Sequence, residues 1–425
     1  MKFTEVPKVL ILSNVAMSDQ NSNGRTINNL FFGWDSQCLA QFCVNGKPDF
    51  KVCKNHYQVT DNDAVSSILS LKSKGGVINY VENSTPQHMN NVVKKNPIKL
   101  LVRELVWGTG FWYGKRLKQW IEKFKPDVIF IYMGNSAFLN RLAIKIQKKY
   151  NIPIIIYTCE NYYFKEHNYV SKKKSLIFDI YQYIFRRSVN SLFKCTSSAI
   201  YNTSELKKKY DERFPGIDSR CIMTNSDIDF VDRAEKIKPE KIVYLGNLGV
   251  GRHYALIEIG NALQEIDNNL VLDVYGNIPN DEVKTALNEC KGIRYCGVVP
   301  YKEVVEKIHH STLLIHAESF DDYSTKDLKF AFSTKIADSI SSGTPLFCYM
   351  PKDLVCTQFL IKHRCAFVAQ NKNELISTLK QALYDVESRK KVVDKCIETR
   401  VLFDPKENDK LVREMIMMRM YLDEG

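Results

Sequence analysis

The sequence of 425 residues contains no run of 18 apolar residues, so a membrane-spanning helix is not expected. Near its start lies a single short apolar run, residues 9–12. This run is too short for the apolar region of a signal peptide and is typical of a first strand. Both absences favour a cytoplasmic protein.

The spacing of a thiolate zinc site is also missing. The twelve cysteines include no pair separated by two residues. Several of them, such as Cys159 and Cys348, lie inside apolar runs. We therefore expect reduced, mostly buried cysteines rather than disulfides or metal ligands.

Basic residues are unevenly distributed along the chain. Residues 1–230 contain 33 Lys and Arg against 19 Asp and Glu, whereas residues 231–425 contain 27 against 29. The whole net charge of +12 therefore comes from the first half. Such a half can face nucleic acid, anionic lipid or a phosphorylated substrate, or can be a solvated face that only keeps the protein soluble.

Short apolar runs alternate with helix-period segments throughout the chain. The candidate strands are 8–14, 127–133, 153–159, 194–203, 241–247, 269–276, 311–317 and 344–350. Strands that alternate with helices predict parallel sheets covered on both faces. The polar stretch 225–240 separates two halves that each open with a strand and a glycine-bearing loop. We predict two α/β domains, 1–230 and 231–425, with a ligand cleft between their sheet edges. A terminal helix is predicted to pack through Leu411, Met415 and Met418.

A glycine-rich turn lies near the middle of the chain, in KIVYLGNLGVGRHY (241–254). Gly246, Gly249 and Gly251 follow a predicted strand, and Arg252 opens a helical pattern. Glycines allow close approach to a ligand, and a helix N-terminus with an added cation attracts phosphate. The spacing is neither the dinucleotide motif nor a P-loop, so the turn alone is a weak signal.

A second segment, FSTKIADSISSGTPLFCYM (332–350), strengthens this signal. Ser333 and Thr334 precede a short helix and offer hydroxyls to a phosphorylated ligand, or serve only as an N-cap. Lys335 can neutralise phosphate or be a solvated cation. Asp338 can accept hydrogen bonds from ribose hydroxyls or be a first-turn acid favoured by the helix dipole. The co-occurrence of both segments favours a phosphate site.

These segments resemble the GT-B glycosyltransferases, in particular the retaining family-four group of bacterial surface polysaccharide synthesis. KIVYLGNLGVGRHYALIEIGNAL is similar to the strand, loop and helix that open the nucleotide-sugar domain, and STKIADSISSGTPLFCYMP to its donor-binding helix and next strand. LDVYGNIPND and YCGVVPYKEVVEKIHHSTLLIHAESF resemble its middle strands. KPDVIFIYMGN and AIYNTSELKKKY match the acceptor domain loosely.

The resemblance implies two Rossmann-like domains that face each other across a cleft, the first binding the acceptor and the second the donor. The C-terminal helix is expected to cross back to the N-terminal domain. The implied activity is a hexosyltransferase that moves a sugar from a nucleotide diphosphate to a hydroxyl of a glycan or lipid-linked acceptor, with retention. The nucleotide sugar is a substrate, and no cofactor is expected.

The resemblance also implies roles for single residues. Arg252 would stabilise the donor diphosphate, and Lys335 would sit on its phosphates. Because two cations can supply this stabilisation, no metal is expected. Asp338 stands where the family has a ribose-binding glutamate. The family's preceding glutamate is replaced by Phe330, and Glu318 would take over near the sugar.

Two further assignments depend on the same resemblance. Gly24, in NSNGRTINNL, matches the flexible loop that approaches the donor phosphates and the acceptor. His316 is either a sugar contact or a buried strand histidine.

A lipid-linked acceptor would bring the basic first half to an anionic membrane, at its inner face. In residues 105–124, Trp107, Trp112 and Trp120 alternate with cations as in an interfacial helix. Burial of these tryptophans in the core is the favoured alternative.

Three other functions remain open at this point. A nucleotide-sugar epimerase of the same fold would need a set of acid and base carboxylates that cannot be assembled here. A catalytically inactive scaffold is conceivable because the first glutamate is replaced. A nucleic-acid-binding protein would use the basic half, but no recognition motif is present and no nucleic-acid partner is expected.

Overall fold

The computed structural model describes residues 6–79, 96–166, 175–234 and 241–422. The chain forms two compact units, Met1–Ile222 with Asn408–Gly425, and Met223–Glu407. The division thus falls before residue 223 rather than after residue 230. The reason is that residues 223–230 make contacts inside the second unit: the amide of Ser226 donates to the carbonyl of Phe403, and Ile228 packs in the same core as Val243.

The first unit is built around an eight-stranded sheet. Its strands are β1 (Val9–Leu12), β2 (Leu39–Cys43), β3 (Asn55–Gln58), β4 (Gly76–Ile78), β5 (Val128–Tyr132), β6 (Ile154–Thr158), β7 (Ser198–Tyr201) and β8 (Asp218–Cys221). Its helices are α1 (Ser22–Leu30), α2 (Asp61–Ser70), α3 (Pro97–Gly108), α4 (Lys115–Phe124), α5 (Ala137–Tyr150), α6 (Leu176–Phe193) and α7 (Ser204–Arg213), with a 3-10 turn at Ser36–Cys38. The strand order is β4-β3-β2-β1-β5-β6-β7-β8, and only β4 is antiparallel to its neighbour.

The second unit contains a six-stranded, fully parallel sheet. Its strands are β9 (Ile242–Leu245), β10 (Leu272–Tyr275), β11 (Ile293–Gly297), β12 (Leu313–Ala317), β13 (Leu346–Tyr349) and β14 (Phe367–Ala369). Its helices are α8 (Arg252–Ile266), α9 (Asp281–Glu289), α10 (Tyr301–His310), α11 (Asp322–Leu328), α12 (Thr334–Ser342), α13 (Val355–His363), α14 (Lys372–Tyr384) and α15 (Val386–Thr399), with a 3-10 turn at Arg400–Phe403. The order β11-β10-β9-β12-β13-β14 is that of a dinucleotide-binding Rossmann sheet.

Two helices cover opposite faces of this second sheet. Ala255, Leu256 and Ile259 of α8 pack in one core cluster. Ile336 and Ile340 of α12 pack in the other. Because both helices begin at the carboxyl edge of the sheet, their N-termini approach that edge from its two sides.

The last helix, α16 (Pro405–Leu422), returns to the first unit. Val412, Met415 and Ile416 are buried in the core of β1 and β5. This confirms that the terminal helix crosses back to the N-terminal domain. The predicted stripe is corrected in part, because Leu411 and Met418 are exposed and Val412 and Ile416 are the buried partners of Met415.

Two of the three tryptophans of residues 105–124 are core residues, and the third is half-buried. Trp107 and Trp112 are buried and pack edge to face at 4.9 Å between ring centroids. Trp120 is half-buried against Tyr57. This confirms the favoured interpretation of burial. Among the helices of the described ranges, none has the length and apolarity needed to cross a membrane.

Candidate functional site

The candidate site lies where the strand order of the second sheet reverses, between β9 and β12. These two strands are neighbours, although three helices and two strands separate them in the chain. The loops that follow them meet at the carboxyl edge of the sheet, where Ser319 lies against Gly251. Open α/β sheets bind ligands at this switch point.

The predicted glycine turn follows β9. Gly246 ends the strand, the amide of Gly249 donates to Oδ1 of Asn247 at 2.7 Å, and Gly251 is the N-cap of α8. Gly251 has a φ of +73°, and a Cβ there would lie 2.7 Å from Oγ of Ser319. Glycine is therefore required both by the left-handed conformation and by the loop that follows β12. A glycine N-cap also leaves the first amides of α8 without a side-chain acceptor.

Arg252, the first residue of α8, is paired with Glu318. Its Nε donates to Oε2 at 2.7 Å and its Nη2 to Oε1 at 3.1 Å, a bidentate arrangement. Both side chains are largely buried. The guanidinium lowers the pKa of Glu318 to about 2 against the opposing effect of burial, and the carboxylate raises the pKa of Arg252. Arg252 is thus a cation that is already paired with a carboxylate, a partner that the sequence did not indicate.

Glu318 follows β12 and has a second nitrogen neighbour, His316. Nε2 of His316 lies 3.2 Å from Oε1 of Glu318, yet it has no hydrogen-bond partner among the described residues. Burial lowers the pKa of His316, the carboxylate of Glu318 raises it by less, and Arg252 and Lys335 lower it by smaller amounts. Of the two alternatives for this residue, the buried strand histidine is the one that the structure shows.

Lys335 reaches the same edge of the sheet from α12. A Cβ on Gly246 would lie 3.1 Å from Cε of Lys335, so the lysine stem passes directly against the glycine. Lys335 also influences the pKa of His316. The structure therefore brings Arg252 and Lys335, 83 residues apart in the chain, around one buried pair, His316 and Glu318.

The start of α12 carries the other predicted hydroxyls. Ser333 is the N-cap by backbone conformation, but its side chain makes no capping hydrogen bond within the described chain. Thr334 is the first helical residue. α8 and α12 thus both present N-termini without a side-chain cap beside the Arg252 and Lys335 side chains, and such ends attract anions.

Asp338 lies one turn further along α12. It is buried, and its Oδ1 accepts a hydrogen bond from Oγ of Ser226 at 2.8 Å. This carboxylate therefore ties α12 to the segment that precedes β9.

Gly24 lies in the first unit, within α1 rather than in a flexible loop. Its amide donates to Oδ1 of Asn21, the N-cap of that helix. A Cβ at this position would lie 2.5 Å from the carbonyl oxygen of Ala16 and 2.7 Å from that of Ser18. The glycine is therefore explained by close packing of α1 on the loop after β1.

Sequence reasoning missed two residues of the site. Ser319 contacts the glycine turn, and its Oγ donates to Oδ2 of Asp321 at 2.6 Å. Tyr244 is buried beside Arg252 and Glu318, with its hydroxyl donating to the carbonyl of Asn247. The only sequence signal for Ser319 was its position directly after Glu318. Nothing in the sequence marked Tyr244.

The described parts of the chain contain no cluster of side chains that could bind a metal ion. No group of three or more His, Cys, Asp or Glu side chains there could hold a metal ion. All twelve cysteines are free, and seven of them are buried. The arrangement at the switch point instead suits an anionic ligand held by two cations and two helix N-termini.

Comparison with known proteins identifies the fold. No protein-family model matches the chain, and no curated protein matches it significantly in sequence. Sucrose-phosphate synthase from Thermosynechococcus elongatus is similar in structure, with a TM-score of 0.64 and 11% identity over 98% of this chain and 99% of that one. HepE of Anabaena in complex with UDP is also similar, with a TM-score of 0.62 and 10% identity over 97% of this chain and 100% of that one.

A third similar structure is WaaG, a glycosyltransferase involved in lipopolysaccharide biosynthesis, with a TM-score of 0.54 and 10% identity over 95% of this chain and 99% of that one. These similarities extend over nearly the whole chain. They confirm the GT-B fold with two Rossmann-like domains. At such low identity they establish the fold alone.

Proposed function

We propose that this protein is a glycosyltransferase that binds a nucleotide-diphosphate sugar at the switch point of its second unit. The observation that carries the proposal is the convergence of Arg252 and Lys335 at two helix N-termini on a GT-B fold. A diphosphate is the anion whose charge and length suit two cations and two sets of backbone amides.

The proposed catalysis is electrostatic. Negative charge grows on the leaving diphosphate as the bond to the sugar breaks. Lys335, Arg252 and the amides of α8 and α12 would be in place before the reaction begins and would stabilise that charge as it develops. Little reorganisation is then needed during the reaction. Before the donor binds, Glu318 would hold Arg252 at the start of α8, and it is not assigned a contact with the sugar.

We infer that transfer retains the anomeric configuration, as in the family-four enzymes that the sequence resembles. The acceptor hydroxyl would attack from the side of the leaving group, and a phosphate oxygen would take its proton. This route needs no protein base, and none of the assigned residues is given that role.

The acceptor is proposed to be a glycan or lipid-linked glycan bound by the first unit, in the synthesis of a bacterial surface polysaccharide. Three observations support this. The first half carries the whole basic excess. WaaG, of similar structure, is involved in lipopolysaccharide biosynthesis. Structures similar to this one were solved with UDP, with UDP-glucose, or with UDP and glycan ligands.

A thermal-shift screen of UDP, GDP, ADP and dTDP and their sugars tests the donor assignment. A ligand at one hundred times its dissociation constant stabilises the folded state by about 2.7 kcal/mol, which a melting curve resolves. One nucleotide should raise the melting temperature clearly above the others, and Lys335→Ala should reduce that shift. A flat response to all of them would contradict the proposal.

Product analysis separates transfer from the epimerase alternative. With the responding donor and a lipid-linked or glycan acceptor, a transferase releases nucleoside diphosphate only when the acceptor is present. An epimerase would change the sugar while it stays attached to the nucleotide, with no acceptor. The anomeric configuration of the product, read by NMR, tests retention.

We also propose a peripheral contact between the first unit and an anionic membrane. Its site is not the tryptophan segment, whose rings are buried, but the outer face of α3 and its neighbours α2 and α6. The exposed apolar residues of this face are Val65, Leu69 and Leu71, then Ile98, Val102 and Leu105, then Leu176, Ile180 and Tyr183. Exposed Lys72 and Lys74 follow the end of α2, and exposed Lys99 lies on α3. Apolar stripes with adjacent lysines are the chemistry that anionic lipid surfaces bind.

Vesicle sedimentation tests this contact. The protein should bind vesicles of anionic phosphatidylglycerol and not vesicles of phosphatidylcholine. Val102→Glu should weaken the binding, whereas Ile397→Glu, at an equally exposed apolar position of the second unit, should not. Equal binding by both variants would exclude this face.

A further inference from the structure

The carboxylate of Glu318 has two nitrogen neighbours, but only one of them is hydrogen-bonded to it. Arg252 donates to both of its oxygens. Nε2 of His316 lies 3.2 Å from Oε1 and is without a hydrogen-bond partner in the described chain. His316 is only 4% exposed, so bulk water does not solvate this atom. A buried polar atom left in this state requires a physical reason.

Burial opposes a positive charge on His316, whereas the neighbouring carboxylate of Glu318 favours one. The charged or titratable groups that face it or Glu318 are Glu318 itself on β12, Arg252 on α8, Lys335 on α12, Tyr244 on β9, Cys348 on β13 and Cys356 on α13. Burial raises the pKa of Tyr244 and of both cysteines, which are therefore neutral. The single carboxylate is already matched by Arg252.

A diphosphate ligand would change this balance. Nε and Nη2 of Arg252 donate to Glu318. The remaining nitrogen, Nη1, makes only a long contact of 3.5 Å to the carbonyl oxygen of Gly249. A guanidinium that turns towards a diphosphate would leave a buried carboxylate without a partner, which is strongly unfavourable. A replacement cation next to Glu318 would remove that cost.

We propose that His316 takes up a proton when a nucleoside diphosphate binds, and replaces Arg252 as the partner of Glu318. The inference rests on the proposed donor site. Nε2–H of the imidazolium donates to Oε1 of Glu318, while Arg252 turns its donors to the phosphate oxygens. One proton passes from water to Nε2, and no bond between heavy atoms forms or breaks. The negative ligand supplies the field that stabilises the added charge. His316 is thus a positioning residue, which acts through Glu318.

This exchange makes donor affinity depend on pH. The pKa of His316 lies below its ordinary value of 6.5 in the free protein and rises when the ligand is bound. Between these two pKa values each binding event takes up one proton, so the dissociation constant rises up to about tenfold per pH unit. Above the pKa of the bound state the dependence ends. Binding is therefore weakened as the pH rises.

Isothermal titration calorimetry measures the proton directly. UDP, or the nucleotide that responds best in the thermal screen, is titrated into the protein in buffers of different ionisation enthalpy at one pH. The slope of the heat against ionisation enthalpy gives the protons taken up. His316→Asn should still bind the nucleotide but take up fewer protons than the wild type, by up to one. The comparison cancels protons that belong to the nucleotide itself.

Two more variants complete the test. Glu318→Gln keeps His316 but removes the charge that its proton would balance, so it should lose the proton uptake as well. His310→Asn, at an exposed histidine of α10, should match the wild type. Circular dichroism and melting curves establish that each variant is folded.

The possible results separate the inference from the donor assignment on which it rests. If the wild type and folded His316→Asn bind the nucleotide with the same proton count, the inference fails and the donor assignment stands. If no nucleotide of the screen binds the wild type, both fail.

Discussion

The stem of Lys335 lies against Gly246, with Cε 3.1 Å from the position that a Cβ of this glycine would occupy. The same Cβ would lie 2.7 Å from the hydroxyl of Tyr244. Position 246 therefore requires glycine, because the side chains of Tyr244 and Lys335 already fill the space that a Cβ would occupy. This contact fixes where the ammonium of Lys335 reaches the carboxyl edge of the sheet at the switch point.

Lys335→Ala should reduce kcat/KM by about 10²-fold, the usual effect of removing one preorganised group that stabilises charge in the transition state. Its effect on the melting temperature should be small, because loss of a half-exposed cation costs little stability. Steady-state kinetics and melting curves measure both. Lys326→Ala, at an exposed lysine of α11, is the matched control and should leave both quantities unchanged. Comparable activity in the two variants would remove Lys335 from the site.

Arg252→Ala should destabilise the protein as well as inactivate it. The substitution leaves the buried carboxylate of Glu318 without its bidentate partner, and breaking a buried ion pair from one side typically costs about 3–5 kcal/mol. The double variant Arg252→Ala/Glu318→Ala should recover part of that loss, because no unpaired buried charge remains. Urea unfolding of the four proteins gives the coupling free energy. Strictly additive losses would mean that the pair contributes no coupling.

The free energy of unfolding should decrease at acidic pH because of Glu318. Its pKa is about 2 in the folded protein, against an ordinary value of 4.5. A carboxylate with a depressed pKa contributes stability that is fully present above the unfolded-state pKa and is lost as the pH falls through the folded-state value. Between pH 4.5 and 2, the wild type should lose stability relative to Glu318→Gln, by on the order of 3 kcal/mol in total.

Urea midpoints of both proteins at pH 6, 4 and 3 test this dependence. Glu303→Gln, at an exposed glutamate of α10, is the control and should follow the wild type at each pH. A constant difference between wild type and Glu318→Gln over this range would show that the carboxylate is not held ionised by Arg252.

The sequence was sufficient for those parts of the site that are local. A strand, three glycines and a cation at the start of a helix can be recognised within 241–252, and each was found where predicted. The Arg252–Glu318 pair could not be predicted in this way, because its members are 66 residues apart and meet only through the crossover between β9 and β12. The predicted role of Arg252 at the donor diphosphate stays a prediction.

Four strands of the first unit, β2, β3, β4 and β8, were not predicted, and in β2 and β3 polar residues interrupt the apolar pattern. Gln41 of β2 and His56 of β3 are both buried, and Oε1 of Gln41 lies 3.0 Å from Nδ1 of His56. Nε2 of Gln41 donates to Oγ of Ser13, after β1. Hydrogen bonds across neighbouring strands thus make polar residues acceptable in the sheet interior, and periodicity alone does not reveal such partners.

Met415 and Met418 provide a matched pair for testing how α16 is held. Both lie on the same helix, but Met415 is 0% exposed in the core of the first unit and Met418 is 50% exposed. Met415→Ala removes buried methylene groups and leaves a cavity, so it should lower the free energy of unfolding of the first unit by about 2–5 kcal/mol. Met418→Ala should change it by less than about 0.5 kcal/mol, as exposed substitutions do. Denaturant unfolding is followed by the fluorescence of Trp34. This ring reports on the region because it lies under the guanidinium of Arg413, a residue of α16. Equal effects of the two substitutions would mean that α16 does not pack on the first unit through the Met415 face.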